Sequence, residues 1–339
     1  MSTHNLIVQS IDTFNLDLSG RVLLTEAASG NYSCTPLIAA AAGARVYAFG
    51  KDSGYGKYEI VREELIRTSE EMGIANRLFI VNDLENVPFH TVDIVTNTGF
   101  LRPIDKSILS RIPSHCVIPL MYEPWEFRPS DLDLPYCLSK GIRVIGTNES
   151  DGRLNTMSYI GYTVLYFLLH EKLTPQSARI LAIGSAKFNH AIVSVLQKLE
   201  YRIDAYTTDE FPQGTDLRVY NAIVLTEFVS HQLLIGREQA LIPIQRLNKD
   251  HIVIHIAGNT DIDGLKSRIY PASPAPARRM SYTTDFINPK AVIDLHAAGL
   301  KVAEGALKAR ELGIKDAEFA SHMESNYPAL LFRASEVPE

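Results

Sequence analysis

The sequence predicts an α/β protein with two Rossmann-like domains, each on a parallel sheet, joined by a long bridging helix, with a C-terminal helix returning to the first domain. Two series of short apolar strands alternate with helix-like segments, as in parallel sheets covered on both faces. A mostly apolar segment, residues 155–170, separates the two series and is expected to be the bridging helix. The length of 339 residues also favours two domains.

The first series follows an opening segment, residues 1–20, that is expected to form a lead-in strand or arm. Short apolar runs predict strands at residues 21–25, 45–49, 78–81, 93–96, 116–119 and 143–145. Apolar residues at helical spacing predict helices at residues 36–42 and 59–72. These elements form a βαβ series, and the first domain is expected to span residues 1–150 together with residues 292–339.

The second series predicts a nucleotide-binding type of domain over residues 151–291. Strands are expected at residues 179–183, 202–206, 222–225 and 252–256, and helices at residues 191–199 and around 239–247. Residues 271–276 carry three prolines and are expected to form a loop. A helix rich in small residues at 291–312 is the element expected to return to the first domain.

Composition excludes several functional classes. The net charge of −6 and the pI near 6.0 argue against a nucleic-acid-binding surface. Cys34, Cys116 and Cys137 are widely spaced and odd in number, which indicates buried reduced thiols. No group of residues has metal-ligand spacing, so no metal is expected. Neither a signal peptide nor a 20-residue apolar span is visible, so a cytoplasmic protein without membrane contact is expected.

Residues 178–191, ARILAIGSAKFNHA, read as a strand, a tight turn and a helix. In doubly wound domains a pyrophosphate binds at such a helix N-terminus. Gly184 fills the first position of the usual glycine fingerprint, but Ala186 and Asn189 replace the second and third. The candidate cofactor-binding residues are Gly184, Ser185, Lys187, Phe188, Thr207, Thr208, Thr226 and Asn259. NAD, NADP and the absence of any cofactor all stay open.

Polar residues follow several predicted strands, where ligands bind in parallel sheets. The candidate catalytic residues are Glu26, Asp52, Glu123 and His255. The candidate substrate-binding residues are Ser29, Tyr55, Asn97, Thr98, Trp125, Asn148, Arg153 and Asn155. A small-molecule substrate is therefore the expected partner, with Arg153 able to hold a carboxylate bidentately.

Each of these candidates has a plainer structural alternative. Glu26 can cap the following helix, and Asp52 with Tyr55 can serve turn formation. Trp125 can be a partly buried anchor instead of a pocket wall. Arg153 can pair with a neighbouring carboxylate, and His255 can be a buried histidine with both nitrogens satisfied.

Three segments resemble one family: IGTNESDGRLNTMSYIG at 145–161, HIAGNTDID at 255–263 and LHAAGLK at 295–301. They resemble the formate and D-glycerate dehydrogenase superfamily, closest in plan to its adenosylhomocysteinase branch. The resemblance implies a loop after residue 256 that lies over a nicotinamide, and a homodimer.

The departures from that branch concern its catalytic groups. Asn155 stands where the branch has its catalytic lysine, and Met157 where it has the partner aspartate. The histidine expected in the loop after residue 255 falls at Gly258 or Asn259. Without this acid–base set, adenosylhomocysteine hydrolysis is rejected. The arginine of 2-hydroxy acid dehydrogenases also has no convincing equivalent at Asn259.

The leading functional hypothesis is an NAD(P)-dependent oxidoreductase acting on a small polar, carboxylate-bearing metabolite in the cleft between the domains. One alternative is a cofactor-independent enzyme or ligand-binding protein with a decayed dinucleotide site. A second alternative is a non-catalytic subunit of a biosynthetic assembly.

Overall fold

The computed structural model describes residues 2–333, and the chain forms two compact units. Unit 1 takes the chain up to Leu154 and again from Pro289, and unit 2 is Asn155–Asn288. Each unit is built on a parallel sheet with helices. The predicted fold class, two Rossmann-like α/β domains, is confirmed.

Unit 1 contains seven strands and seven helices among the described residues. The strands are β1 (Val22–Glu26), β2 (Arg45–Phe49), β3 (Leu78–Val81), β4 (Ile94–Val95), β5 (Val117–Pro119), β6 (Arg143–Thr147) and β15 (Ala329–Leu330). The helices are α1 (Thr3–Phe14), α2 (Cys34–Ala41), α3 (Tyr58–Glu71), α4 (Lys106–Leu109), α5 (Leu134–Lys140), α8 (Lys290–Glu311) and α9 (Asp316–Asn326).

The unit 1 sheet has the strand order β15-β6-β5-β4-β1-β2-β3. Strands β1 to β6 are parallel, and only β15 runs antiparallel, beside β6. The parallel part has the order 3-2-1-4-5-6 of dinucleotide-binding sheets, in which ligands bind where the order reverses. That switch point lies between the carboxyl ends of β1 and β4.

Helix α8 packs in unit 1 against α1, α2, β5 and β6, so the expected return of the C-terminal helix is confirmed. Its small residues permit this approach. A Cβ at Gly305 would lie only 2.5 Å from the Tyr327 ring, so the absence of a side chain there lets the ring sit against the helix.

Unit 2 contains two helices and eight strands among the described residues. They are α6 (Ser158–His170), β7 (Arg179–Gly184), α7 (Ala186–Gln197), β8 (Arg202–Tyr206), β9 (Ala222–Thr226), β10 (Leu233–Gly236), β11 (Ile242–Pro243), β12 (Ile252–Ala257), β13 (Asn259–Thr260) and β14 (Arg268–Tyr270). The main sheet is all parallel in the order β14-β12-β9-β7-β8, and β11-β10-β13 form a small second sheet. The switch point of the main sheet lies between β7 and β9.

Two element predictions were wrong. The opening segment forms helix α1 because Leu6, Ile7 and Phe14 bury one helical face, and the Ser2 hydroxyl caps it by accepting from an N–H 3.3 Å away. Residues 239–247 form β11 and a short 3₁₀ turn instead of a helix, since Pro243 interrupts the segment. Helix α7 also begins five residues earlier than expected, immediately after the turn at Ser185.

Candidate functional site

The switch point of unit 1 is lined by buried hydroxyl groups. The Thr25 and Thr96 hydroxyls, at the ends of β1 and β4, are 2.7 Å apart, and the Thr96 and Thr98 hydroxyls are 2.9 Å apart. All three residues are buried. Because the chain of hydroxyls runs from one strand to the other, it holds the two strand ends and their loops together.

Glu26 ends β1 at this switch point and is only 6% exposed. One carboxylate oxygen accepts a hydrogen bond from the Phe100 N–H at 3.0 Å, and the Gly99 N–H also bonds the carboxylate. A Cβ at Gly99 would collide with this carboxylate, so glycine is needed for the close approach. Burial raises the pKa of Glu26, and the two N–H groups and the charge of Arg102 offset part of that rise. Glu26 therefore caps the turn after β4, whereas the expected structural alternative was the helix after β1.

Asn97 lies beside Glu26 in a network that the sequence did not indicate. The Arg102 guanidinium donates to the Asn97 side-chain oxygen at 2.9 Å and to its backbone oxygen at 2.6 Å. The Asn97 amide donates to the Tyr122 hydroxyl at 2.6 Å, and Arg102 pairs with Asp131 at 3.4 Å. Burial raises the pKa of Tyr122 to about 12. Arg102 and Tyr122 were missed because they reach this point from the loops after β4 and β5, which only the sheet order brings together.

Glu123 and Trp125 form a second buried carboxylate site in unit 1. Glu123 is 6% exposed and accepts from the Trp125 indole N–H at 2.7 Å and from the Glu149 backbone N–H at 3.1 Å. It thereby ties the loop after β5 to the loop after β6. Trp125 is 40% exposed, which fits a ring that is anchored on one side and open on the other.

The loop after β2 has the contacts of an ordered turn. Asp52 accepts from the Tyr58 N–H at 2.9 Å and from the Lys57 ammonium at 2.8 Å, and these bonds lower its pKa. Tyr55 is 89% exposed, and its backbone oxygen accepts from the Ser29 hydroxyl at 3.2 Å. These contacts favour the turn-forming alternative for Asp52 and Tyr55.

The residues around the end of unit 1 are likewise occupied locally. Arg153 makes a bidentate pair with Asp151, both bonds 2.8 Å long, which favours the ion-pair alternative. The Asn148 side chain accepts from the Ser150 N–H at 2.9 Å within its own turn. Asn155 is exposed, and its backbone oxygen accepts from the N–H at the start of α6.

In unit 2, Gly184 ends β7 at the switch point with φ +146°. A Cβ there would collide with the backbone of Thr226 and Glu227 at the end of β9, so the turn requires glycine. The Ser185 N–H donates to the Thr226 oxygen at 3.1 Å, and the Ser185 hydroxyl accepts from the Phe228 N–H at 3.1 Å. The strand, tight turn and helix expected from the sequence are therefore present, with Ser185 immediately before α7.

Asn189, at the third position of the fingerprint, is 5% exposed and bonds three strands. Its amide donates to the Tyr206 oxygen at 2.9 Å and to the Gly184 oxygen at 3.3 Å, while its own oxygen accepts from the Thr226 hydroxyl at 2.8 Å. Thr226 is fully buried, so its side chain serves this network. The amide takes over the helix-to-strand contact for which dinucleotide folds use a glycine.

Glu227 is a buried carboxylate beside the turn that the sequence did not single out. It is 5% exposed, and one oxygen accepts from the Val229 and Ser230 N–H groups, each at 2.8 Å. The Ser185 hydroxyl lies 3.4 Å from the same oxygen. A negative charge is therefore held at the edge of the turn by backbone donors.

The first turn of α7 combines exposed and buried positions. Ala186 is exposed and Lys187 is half-buried, whereas Phe188 is 7% exposed, with its ring 5.9 Å from that of Phe228. The first N–H groups of a helix have no acceptor within the helix, and those of α7 face the turn after β7. Phe188 contributes to the core, whereas Ala186 leaves the helix start accessible.

Thr207 and Thr208 follow β8 and are half-buried. The Thr207 hydroxyl donates to the Glu210 carboxylate at 2.8 Å. An acidic group thus stands three residues beyond the expected ribose position, within reach of a hydroxyl at that position. Asn259 donates to the His231 oxygen at 2.9 Å and belongs to β13 in the small sheet.

His255 is fully buried in β12, and both ring nitrogens have partners. The Gly258 oxygen, 3.0 Å from Nε2, can only accept, so Nε2 carries the proton. Nδ1 then accepts from the Ser281 hydroxyl at 2.7 Å, and that hydroxyl accepts from the Ala275 N–H at 2.8 Å. Burial lowers the pKa of His255. These contacts favour the alternative of a neutral, satisfied histidine.

Metal-binding clusters and membrane-spanning helices are both absent from the described part of the chain. No group of three or more His, Cys, Asp or Glu side chains in residues 2–333 is arranged to hold a metal ion. Within the same residues, no helix has both the length and the apolar character needed to cross a membrane.

The structure resembles solved proteins over most of its length. A dipicolinate synthase chain from Bacillus subtilis matches with a TM-score of 0.57 and 13% identity, covering 87% of this chain and 99% of that chain. The corresponding dipicolinate synthase chain from Bacillus halodurans matches with 0.53 and 11%, covering 88% and 99%. The protein shares the fold of these two dipicolinate synthase chains.

A D-isomer-specific 2-hydroxyacid dehydrogenase from Lactobacillus delbrueckii ssp. bulgaricus, in its NAD-complexed form, matches with a TM-score of 0.47 and 10% identity, covering 87% of this chain and 98% of that chain. No protein-family model matches the sequence. No curated protein matches it either. The superfamily plan expected from the sequence is thus present as a fold, and the adenosylhomocysteinase branch stays a prediction.

Proposed function

We propose that the chain is an NAD-dependent oxidoreductase acting on a small polar, carboxylate-bearing metabolite. The turn from Gly184 to Lys187, at the switch point between β7 and β9, carries the proposal. Its glycine has the positive φ that a tight turn needs, and the helix start beyond it is accessible at Ala186. Anions bind at such helix N-termini because unpaired N–H groups and the helix dipole both favour negative charge.

The residues present fit a dinucleotide at this turn. The N–H groups at the start of α7 would hold the pyrophosphate, with the Lys187 ammonium nearby as a counter-charge. Thr207 and Glu210 would bond the adenosine ribose, and the Glu210 carboxylate would repel a 2′-phosphate, which supports NAD over NADP. When bound, the nicotinamide accepts or supplies a hydride.

The buried Glu227 opposes an anion at the same turn, but its charge is partly compensated. Backbone N–H groups of Val229 and Ser230 hold the oxygen that lies near Ser185. Because this charge is fixed in place, we expect a dissociation constant in the micromolar to millimolar range rather than tight binding.

In unit 1 we assign Glu26 as the group that handles the substrate proton. Its raised pKa brings it closer to the neutral pH at which a general acid or base works well. Arg102 lies beside it and keeps a 24% exposed side chain, so it is the cation available to a substrate carboxylate. The likeness to dipicolinate synthase supports a carboxylate-bearing substrate.

Calorimetric titration of the purified chain with NAD, NADH, NADP and NADPH tests the proposal. We expect NAD or NADH to bind at least tenfold more tightly than NADP or NADPH. The Ala186→Asp variant places a carboxylate at the first helical position, which should stabilise α7 by about 0.5 kcal/mol but repel a pyrophosphate. We expect loss of binding in a variant at least as stable as the parent.

Ala186→Ser is the matched control, because it adds a polar side chain at the same exposed position without charge. It should keep the affinity within about threefold. Binding of none of the four nucleotides at millimolar concentration, or unchanged affinity in Ala186→Asp, would refute a dinucleotide at this turn.

A second candidate function is a cofactor-independent enzyme or ligand-binding protein. The observation that favours it is the pair of polar side chains at the turn, since Asn189 fills the place of a glycine and Glu227 adds a negative charge. Failure of all nucleotides to bind, together with binding of a dicarboxylate that is lost in Glu26→Gln, would support this candidate. The further alternative, a non-catalytic subunit of a biosynthetic assembly, predicts that neither kind of ligand binds to the chain alone.

A further inference from the structure

Helix α6 presents apolar side chains to solvent as well as to the core. Phe167 and Leu168 are buried, yet Tyr162, Tyr166 and Leu169 on the other side are 42%, 48% and 55% exposed. No Asp, Glu, Lys or Arg occurs from Ser158 to His170. A helix that is apolar on all sides is normally covered on all sides.

Two residues close to the end of unit 2 extend this apolar surface. Phe286 and Ile287 are 42% and 38% exposed. The Phe286 ring lies 5.6 Å from the ring of Tyr166 and 4.6 Å from that of Tyr282, so it rests on an aromatic cluster. We call Tyr162, Tyr166, Leu169, Phe286 and Ile287 together the α6 face.

The area of the α6 face is large for a surface that stays in water. With roughly 200 Å² for a fully exposed large side chain, the five residues together leave about 450 Å² of mainly apolar surface exposed. Single patches on monomeric proteins reach about 300–600 Å², and those of this size are often functional. A stable interface buries about 800 Å² per partner, of which an apolar core of about half is typical. The α6 face therefore supplies the core of one standard interface.

We propose that a second copy of this chain covers the α6 face, forming a twofold-symmetric dimer in which the two α6 helices pack antiparallel. Tyr162, Tyr166 and Leu169 are spaced four and three residues apart, so the stripe is nearly symmetric about its centre. An antiparallel pair then sets Tyr162 against Leu169 of the other copy and brings the two Tyr166 rings together at the axis, as an isologous contact requires.

Charge also favours a second copy over a charged partner. The chain has a net charge of −6, so two copies repel each other over most approaches. A helix without charged side chains is where that repulsion costs least. A basic or acidic partner would find no complementary group on α6 itself, so its binding to this face would lack electrostatic support.

Sedimentation velocity of the full chain tests the proposal. We expect a dimer of the 37.7 kDa chain at micromolar concentration. Leu169→Glu should weaken dimerisation at least 100-fold, because it places a charge in the apolar core of the interface. The matched control is Leu138→Glu in α5, a leucine that is 58% exposed on unit 1, and it should dimerise like the parent. Circular dichroism checks that both variants are folded.

Cross-linking tests the geometry independently of stability. Tyr166→Cys places a thiol at the proposed axis, and the three native cysteines are buried. A short bis-maleimide should therefore link two copies of this variant but not two copies of the parent. A monomeric parent, equal dimerisation of Leu169→Glu and the parent, or no cross-link in a dimeric Tyr166→Cys variant would each overturn the proposal.

Discussion

Asn189 is the side chain whose replacement tests the account of the turn in unit 2 most directly. Its two bonds of normal length, to the Tyr206 oxygen and from the Thr226 hydroxyl, are buried, and the bond to the Gly184 oxygen is longer at 3.3 Å. Two such bonds contribute about 2 kcal/mol. Alanine regains about 0.5 kcal/mol of helix propensity. We therefore expect Asn189→Ala to destabilise unit 2 by about 1.5 kcal/mol.

Asn189→Asp should cost more than Asn189→Ala, although it is the smaller change in shape. Aspartate keeps the acceptor for Thr226 but loses both donors, and it sets a charged oxygen against the carbonyl oxygens of Gly184 and Tyr206. A buried charge without donors is penalised more heavily than a missing side chain, and we expect a loss of about 3 kcal/mol or more.

Thermal unfolding combined with hydrogen exchange measures the effect unit by unit. A loss of about 1.5 kcal/mol corresponds to a fall of about 5 °C in the unfolding temperature of a unit of this size. Trp125 is the only tryptophan and lies in unit 1, so its fluorescence serves as an internal control and should change little. Amides of β7 and β9 should exchange faster. If Asn189→Asp were as stable as the parent, or more stable than Asn189→Ala, the hydrogen-bond directions assigned at the turn would be wrong.

Three further predictions concern buried groups. Burial lowers the pKa of His255 from 6.5, so the folded chain binds fewer protons than the unfolded one and unit 2 loses stability as the pH falls from 6.5 through the folded pKa. Urea titrations at several pH values should show this slope, and it should be weaker in His255→Gln. Burial raises the pKa of Glu26 from 4.5, so unit 1 is favoured below 4.5 and loses stability as the pH rises through the folded pKa. Tryptophan fluorescence should follow that loss in the parent, and a Glu26→Gln variant with the same pH dependence would contradict it. Gly161→Ala on α6 would place a Cβ 2.7 Å from Val195 Cβ on α7, so we expect unfolding by urea to show a loss of about 1–2 kcal/mol, whereas an unchanged midpoint would show that the helices separate easily.

Strand positions were the most accurate part of the sequence analysis. The strands at 45–49, 78–81 and 202–206 were predicted to the residue, because short apolar runs bounded by turns have few other structures available. Helix α1 was missed, since its buried residues are recognisable as one face only once α2 and α8 are there to cover them. A similar reason explains why Pro243 was not weighed correctly within an apolar run.

The candidate site divides in the same way. Glu26, Asn97 and Thr98 were predicted from their place after strands, and the structure brings them to one switch point. Arg102 and Tyr122 were not predicted, because they join Asn97 from different loops. The sequence could not indicate Glu227 either, since its importance comes from the bond geometry at Ser185 rather than from any motif.

By itself the sequence determined the alternation of strands and helices, the glycine turn at Gly184 and the polar strand ends, because these depend on local pattern and backbone sterics. The tertiary structure decided which of those polar groups meet. It paired Arg153 with Asp151, satisfied both nitrogens of His255, and placed Asn189 among three strands. Hydrogen-bond partners are set by the order of strands in a sheet, and that order is a property of the folded chain.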